Sequence, residues 1–408
     1  MNVWQFTEQP YYPAWDPAHP SLRNSLPGRH LDPKLAADLY SRYMDEWEMC
    51  DELGINIMIN EHHSTATCLT SSCHVPLSIL ARTTKKIRLL SLGIPIANRP
   101  DPVRVAEEIA MIDCYSHGRY EVGFVRGGPF EVWPANAQPV GQTRRFGEAY
   151  RLIMKALTTT DGPFSWQGEF FHERSVNIWP RPYQQPHPPV WFVSIGPGPG
   201  NWIAEQKGKV GTFLTGRDSK LLFDTYRRKW LSLGWGMPPV DMLGYMGIVA
   251  VADTEAKAKE RAHHIAGYIR TGSQLAPQFF NPPGYVPTRV EAQAMRNSTR
   301  ADFVPAYASV VLKDGSRVYQ KAASMEQLIE AHVMFVGTPD QVYRQIKAYY
   351  DYVGGFGNLM IMGHGGDLPH ADTVDSLGLF SREVLPRLKE LRPGDYELPG
   401  LQTEGKAA

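Results

Sequence analysis

The stretch from residue 87 to residue 125 reads IRLLSLGIPIANRPDPVRVAEEIAMIDCYSHGRYEVGFV and contains two apolar runs separated by an amphipathic one. The runs at 87–95 and 120–125 have the length and composition of buried strands, and residues 102–115 have the spacing of a helix. An aspartate followed by a first-turn proline opens this helix. A strand, a helix and a second strand in this order predict a parallel pair joined by a right-handed crossover.

The same alternation of short apolar runs and longer amphipathic runs extends in both directions along the chain. The predicted strands are 3–6, 55–59, 87–95, 120–125, 190–195, 210–214, 243–251 and 358–362. The predicted helices lie near 33–53, 73–85, 102–115, 142–158, 198–208, 218–233, 254–271, 339–352 and 373–391.

Eight strands are the number that closes a barrel, so we expect an α/β fold in which residues 1–408 form one (β/α)8 TIM barrel with insertions. An open doubly wound sheet is the alternative, but residues 7–32 lack the glycine fingerprint that such a sheet needs after its first strand. Residues 159–189 predict a hairpin excursion, because a turn stands there between aromatic residues. Residues 272–335 predict an ordered, proline-rich insertion that acts as a lid over the barrel mouth.

Charge and composition argue against several classes of function. The 408-residue chain carries 42 Lys plus Arg and 42 Asp plus Glu, so it lacks the positive excess typical of proteins that bind nucleic acid or a membrane surface. It shows no signal-peptide pattern and no window of about 18 apolar residues, so we expect a soluble, cytoplasmic protein. Its four cysteines form no CxxC pair and its histidines form no His-x-His pair, so we expect no disulfide scaffold, no metal site and no metal-dependent hydrolase.

Residues that directly follow the barrel strands are expected to face the active site. Glu61 and His62 follow the second strand, and imidazole is well suited to proton transfer near neutral pH, although a lone histidine is often structural. Asn98 follows the third strand, where the alternative is a plain helix start. Arg126 and Gly127 follow the fourth strand, and a guanidinium beside flexible glycine predicts an anion clamp.

The loop after the fifth strand is rich in glycine and opens a helix. Ser194 ends the strand, and Gly196, Gly198 and Gly200 follow it. Glycines at a helix N-terminus leave backbone N–H groups open to a phosphate. A tight turn between strand and helix is an equally good interpretation of this loop.

A series of motifs runs in order along nearly the whole chain: Glu61-His62-His63, Leu80-Ala81-Arg82-Thr83, Ile87-Arg88-Leu89, Pro102-Val103-Arg104-Val105-Ala106-Glu107-Glu108, Gly118-Arg119, Gly123-Phe124-Val125-Arg126-Gly127, Val336-Gly337-Thr338-Pro339-Asp340-Gln341-Val342 and Glu383-Val384-Leu385-Pro386. The ordered series resembles the bacterial luciferase-like flavin-dependent monooxygenases. It is far more specific than any one of its motifs.

The resemblance implies a two-component monooxygenase that takes reduced FMN from a separate flavin reductase. O2 and a flavin C4a-(hydro)peroxide would then oxygenate a small organic substrate. His62 would be the catalytic residue beside the flavin, and Arg126 would contact the FMN phosphate. The other expected cofactor-binding residues are Glu61, Asn98, Gly127, Ser194, Gly196, Gly198 and Gly200. The strand-five loop departs from the family pattern, because it offers only Gly and Pro from residue 196 to residue 200.

Two other functions on the same barrel stay open: an F420-dependent oxidoreductase, and a non-catalytic flavin-binding protein, against which the presence of His62 argues. The sequence does not identify the substrate. The resemblance also implies a non-prolyl cis peptide near Gly93-Ile94.

Further expectations concern surfaces. We expect a homodimer through helices 73–85 and 102–115, with an apolar patch made of Ile79, Leu80, Ile109, Met111 and Ile112. We also expect the aromatic residues of the first strand and the loop after it to line a dry pocket, namely Trp4, Phe6, Tyr11, Tyr12 and Trp15.

Overall fold

The computed structural model describes most of the chain. The described residues are 1–271 except 17 and 20, then 279, 282–289, 292, 296, 309–394, 396, 398 and 399. Within these ranges, no helix is both long enough and apolar enough for a membrane span.

Thirteen strands lie in the described ranges. They are β1 (Asn2–Phe6), β2 (Asn56–Ile59), β3 (Leu89–Pro95), β4 (Tyr120–Val125), β5 (Phe164–Gln167), β6 (His172–Val176), β7 (Val190–Val193), β8 (Lys209–Phe213), β9 (Leu243–Val251), β10 (Ser309–Val311), β11 (Arg317–Tyr319), β12 (Met334–Gly337) and β13 (Asn358–Met362). Eight of them close a parallel barrel in the order β1-β2-β3-β4-β7-β8-β9-β13 and back to β1. These eight are the predicted strands, so the predicted barrel fold is confirmed.

Helices cover the outside of the barrel. They are α1 (Pro33–Leu53), α2 (His74–Thr83), α3 (Pro102–Tyr115), α4 (Gln142–Thr158), α5 (Gly200–Glu205), α6 (Ser219–Ser232), α7 (Glu255–Thr271), α8 (Met325–Glu330), α9 (Pro339–Tyr352), α10 (His370–Leu379) and α11 (Leu385–Lys389). A π-helical turn, Phe380–Val384, joins the last two. The predicted helix at 198–208 is therefore shorter in the structure, and the one at 373–391 is divided.

A ninth strand joins the main sheet outside the barrel ring. β9 is nine residues long, and its first half pairs with β8 while its second half pairs with β12. The prediction of eight strands missed β12, because a strand of four residues at the end of the predicted insertion carries little pattern of its own.

Aromatic residues of β1 fill the barrel rather than line its mouth. The Trp4 indole is fully buried, packs edge-on against Trp191 with 6.0 Å between ring centroids, and donates to Asn358 Oδ1 at 3.0 Å. Phe6 belongs to the same buried cluster, whereas Tyr11 packs against α1. The barrel interior needs large side chains to reach close packing, and Trp4 and Phe6 supply them. That the aromatic residues of this region line a dry pocket stays a prediction.

Strands β3 and β4 approach closely where the register between them shifts. A methyl group on Gly93 would come 2.6 Å from Val125 Cγ1, and one on Gly123 would come 2.6 Å from the Ser91 carbonyl oxygen. The Leu92–Gly93 peptide is cis, one bond before the predicted position.

The five residues of the predicted dimer patch do not form one exposed surface. Leu80, Ile109 and Ile112 are buried in the core of this chain, while Ile79 and Met111 are exposed. Neighbouring positions on a helix point to different sides, so adjacent residues such as Ile79 and Leu80 cannot share one face.

Both predicted excursions contain antiparallel pairs. β5 pairs with β6 within residues 159–189, and β10 pairs with β11 within residues 272–335. Three aromatic residues of the predicted lid, Phe280, Phe303 and Tyr307, lie outside the described residues.

Candidate active site at the barrel mouth

The centre of the site is a histidine held between two carboxylates. His62, which follows β2, has its Nδ1 atom 2.7 Å from Glu131 Oε1 and its Nε2 atom 3.5 Å from Glu8 Oε1. The His62 side chain is 18% exposed, whereas both carboxylate side chains are 4% exposed. The imidazole thus keeps some access to a ligand while its partners are closed off from solvent.

Local structure fixes both carboxylates. Glu131 ends a single 3-10 turn, Pro129–Glu131, and its second oxygen accepts the Gly128 N–H, which closes the turn back on itself. Glu8 lies two residues beyond β1, and its Oε1 atom accepts the Asn60 amide at 3.0 Å. The glycines after β4 therefore place a carboxylate opposite His62.

The two carboxylates determine the charge of His62. Burial by itself would lower the pKa of the imidazole, but Glu8 and Glu131 outweigh it and raise the pKa to about 9. Burial would raise the pKa of Glu8, yet the cations of His62 and Arg23 bring it below its usual value. At neutral pH both His62 nitrogens therefore carry protons and the Glu8 carboxylate is ionised.

Asn98 and Gly127 form a second part of the site. Both polar atoms of the Asn98 amide are buried and lack a hydrogen-bond partner. Gly127 has a φ of +91°, and a methyl group on it would come 2.7 Å from Asn98 Nδ2. Only glycine fits here without displacing the amide. A buried amide whose polar atoms lack partners can donate to a ligand and accept from it.

Arg126 lies exposed at the rim, with no described carboxylate in ion-pairing contact. Its Nε atom donates to the Tyr285 hydroxyl at 3.0 Å, and its Nη1 atom donates to Thr143 Oγ1 at 3.1 Å. The guanidinium lies 4.5 Å from the centre of the Tyr285 ring. Tyr285 in turn donates to the Gly127 carbonyl oxygen at 2.5 Å. Within the described part of the chain, the positive charge of Arg126 is therefore not neutralised by another side chain.

The predicted strand-five loop follows β7, which is the fifth strand of the barrel. Because β7 pairs with β4, this loop and Arg126 follow neighbouring strands. Ser194 Oγ donates to the Gly196 carbonyl oxygen at 2.6 Å, and the Gly200 N–H donates to the Pro197 carbonyl oxygen at 2.9 Å. Gly196 and Gly198 have open space around them, while Gly200 packs against α6. Of the predicted phosphate contacts in this loop, Gly198 has open space around it, the Gly196 N–H makes a long hydrogen bond of 3.4 Å to Ser194 Oγ, and Ser194 and Gly200 are already engaged.

Glu61 has a structural environment in spite of its position next to His62. Its side chain is fully buried, and Arg99 Nη2 lies 2.8 Å from each of its two carboxylate oxygens. The Cys73 N–H donates to the same carboxylate at 3.2 Å. Burial would raise the pKa of Glu61, but His63 and Arg99 lower it overall. We therefore assign Glu61 to the support of the loop after β2 rather than to cofactor binding.

Sequence reasoning missed Glu8, Glu131 and Tyr285. Glu131 and His62 are 69 residues apart, and Tyr285 and Arg126 are 159 apart, so no local spacing links them. The signal that was available is positional, since Glu8 and Glu131 both follow barrel strands as His62 does.

Comparison with known proteins identifies the family to which this sequence belongs. The family model for luciferase-like monooxygenases matches residues 27–354. The chain belongs to this family.

Several relatives support the assignment to the luciferase-like monooxygenases. A protein of Sinorhizobium fredii is 32% identical over 200 residues, which are 46% of this chain and 58% of the relative. The oxygenase component of the flavin-dependent trigonelline monooxygenase of Acinetobacter baylyi is 28% identical over 172 residues, 41% of this chain and 47% of the relative. The chain thus spans about half the length of these two. The alkanal monooxygenase alpha chain of Photorhabdus luminescens is 23% identical over 353 residues, 85% of this chain and 91% of the relative.

Solved structures of the same fold include enzymes with different cofactors. The oxygenating constituent of 3,6-diketocamphane monooxygenase from Pseudomonas putida, in complex with FMN, has a TM-score of 0.67 at 20% identity, covering 95% of this chain and 98% of that one. The F420-dependent tetrahydromethanopterin reductase from Methanopyrus kandleri has a TM-score of 0.61 at 16% identity and the same coverage. At these identities the likeness shows the fold.

Proposed function

We propose that this chain is the oxygenase component of a two-component monooxygenase that uses reduced FMN and O2 to oxygenate a small organic substrate. A separate flavin reductase would supply the reduced FMN. The Acinetobacter relative is named an oxygenase component, which supports a separate reductase. The Pseudomonas structure is a complex with FMN, which supports FMN as the cofactor. A homodimer and a cytoplasmic location belong to the same proposal as predictions from the sequence.

The residues at the mouth fit a flavin mononucleotide. Arg126 offers a cation without a carboxylate partner, and the neighbouring loop offers the open glycines Gly196 and Gly198. The unsatisfied amide of Asn98 provides a donor and an acceptor between this rim and His62. We assign the phosphate to Arg126 with these glycines, and the ring system to the region of Asn98, Gly127 and His62. When bound and reduced, FMN supplies the electrons with which one oxygen atom of O2 enters the substrate and the other becomes water.

His62 is proposed to act as a proton donor and electrostatic partner instead of a base. Its Nδ1 proton is fixed on Glu131 at 2.7 Å, so this contact orients the ring. Its Nε2 proton is held less closely, with Glu8 3.5 Å away. The imidazolium can therefore present the Nε2 proton to an oxygen atom on which negative charge develops. The observation that carries the proposal is this doubly flanked histidine beside the unsatisfied Asn98.

The insertion at 272–335 is proposed to shield this region from water. Its described part reaches the rim through Tyr285, which contacts both Arg126 and Gly127. Exclusion of solvent has a direct use in reactions of reduced flavin with O2, because reactive intermediates are lost to water.

An F420-dependent oxidoreductase is the second candidate, favoured by the F420-dependent structures with the same fold. The test is a titration of the purified chain with reduced FMN and with reduced F420 under anaerobic conditions. We expect reduced FMN to bind at least tenfold more tightly. Arg126→Met should weaken FMN binding by about 1.5–3 kcal/mol, the loss typical of a charged hydrogen bond. Equal affinities for the two cofactors, or unchanged FMN affinity in the variant, would contradict the proposal.

A further inference from the structure

A buried arginine without an acceptor lies next to the site. Arg23 is 3% exposed, and its Nε and Nη1 atoms have no hydrogen-bond partner. Among the described residues, no carboxylate lies within ion-pairing distance of its guanidinium, in contrast to the buried Arg227 and Arg261. Burial of a charged group with unmade hydrogen bonds costs several kcal/mol, so such a residue needs a partner.

Contacts with Phe130 place the Arg23 guanidinium at the barrel mouth. It lies 4.7 Å from the centre of the Phe130 ring, and the His62 ring is also a neighbour of Phe130, with 6.0 Å between the centroids. Phe130 itself is fixed, because its carbonyl oxygen accepts the Asn24 amide at 2.7 Å. Arg23 and His62 thus border the same aromatic ring.

The backbone around Arg23 is anchored to the loop that carries His62. Arg23 forms an antiparallel bridge with Thr65, and the carbonyl oxygen of Leu22 accepts the Ala66 N–H at 3.0 Å. The Arg23 N–H donates to Ser21 Oγ at 3.2 Å. A guanidinium on so well-connected a segment is pre-positioned, which lowers the entropic cost of binding a ligand.

Nearby charges do not satisfy the guanidinium. Glu8 is close enough for its charge to interact with that of Arg23, but it lies beyond ion-pairing distance: its Oε1 atom accepts from Asn60 and faces His62, and its Oε2 atom is buried without a hydrogen-bond partner. Among the described residues no carboxylate pairs with Arg23, so the missing element at its Nε and Nη1 atoms is a hydrogen-bond acceptor. Carboxylates are the acceptors that guanidinium groups bind most strongly.

We propose that Arg23 binds a carboxylate group of the substrate, which makes the substrate an organic acid. This inference rests on the proposed function for the identity of the reaction, but the binding site itself is a property of the chain without cofactor. Phe130, which neighbours both Arg23 and His62, would pack against the carbon skeleton next to the carboxylate.

Matched pairs of acids and amides test the inference on the full chain. Binding of benzoate and benzamide, and of hexanoate and hexanamide, is measured by ligand-observed NMR in the wild type, Arg23→Met, Arg23→Lys and the control Arg387→Met. Arg387 stacks on Tyr343 of α9 and is far along the chain from the mouth residues. The wild type and the control should bind each acid at least about tenfold better than its amide. Arg23→Met should lose this preference, and Arg23→Lys should keep part of it.

Flavin binding separates this inference from the proposed function. Reduced-FMN affinity should change less than twofold in both Arg23 variants, whereas Arg126→Met should lose FMN affinity and keep the preference for acids. The inference is overturned if the wild type binds acids and amides equally, if Arg23→Met or Arg23→Lys retains the full preference, or if the Arg23 variants weaken FMN as strongly as Arg126→Met. Should the wild type fail to bind FMN, the proposed function fails, and the acid preference still decides the role of Arg23.

Discussion

At the scale of single residues, the charge of His62 is the property on which the proposed chemistry depends. Glu131 is closer to the ring than Glu8, with 2.7 Å against 3.5 Å, so we expect Glu131→Gln to lower the His62 pKa more than Glu8→Gln does. The pKa should move from about 9 toward 6.5 in Glu131→Gln. NMR of the labelled imidazole between pH 5 and about 10 measures this, with the exposed Glu48→Gln as the matched control.

The same pKa predicts how pH affects the protein. The folded-state value of about 9 lies above the unfolded value near 6.5, so the stabilisation from His62 is complete below about 6.5 and is lost as pH rises through 9. Coupled turnover should fall over the same upper range, and the fall should come at lower pH in Glu131→Gln. A wild-type imidazole that titrates near 6.5 would show that His62 is not held as a cation.

At the scale of elements, local signals predicted four of the nine helices to the residue, namely 33–53, 102–115, 142–158 and 339–352. α3 begins where Asp101 accepts the Arg104 N–H at 2.9 Å and Pro102 fills the first turn, both readable from the sequence. The sequence did not predict β12, because this four-residue strand is defined by its pairing with β9, more than 80 positions earlier. The same limit applies to the site: residues after strands were predictable, whereas the Glu131 contact with His62 depends on tertiary structure.

The insertion offers an element-scale prediction through Tyr285. Tyr285→Phe keeps the ring over Arg126 and removes the hydrogen bonds to Arg126 and Gly127, each worth about 1 kcal/mol. We expect reduced-FMN affinity to change little and the share of turnover released as hydrogen peroxide to rise severalfold. Peroxide and product are measured together, with Tyr343→Phe on α9, outside the insertion, as control. A variant that remains as fully coupled as the wild type would remove the insertion from the shielding of the site.

At the scale of the whole molecule, barrel closure explains why distant residues form one site. β1 pairs with both β2 and β13, so Glu8 comes beside the loop after β2 although 54 positions separate it from His62. The eight-strand pattern predicted this ring, and the ring predicted that residues after the strands would converge. What the pattern could not provide is which side chains remain exposed, because exposure depends on how the helices pack.

The predicted homodimer depends on which apolar side chains of α2 and α3 are exposed. The apolar side chains that α2 and α3 leave exposed are Val75 (64%), Ile79 (48%), Met111 (37%) and Tyr115 (52%). Four such side chains on two packed helices form a surface suited to a second copy.

Ile79→Asp should raise the dimer dissociation constant at least about tenfold, since a charge would be buried in an apolar interface. Sedimentation across a concentration series measures this, with Leu221→Asp on α6 as control, because Leu221 is equally exposed at 54% on another helix. A wild type that sediments only as a monomer at micromolar concentration, or equal effects of the two substitutions, would place the dimer interface elsewhere or exclude it.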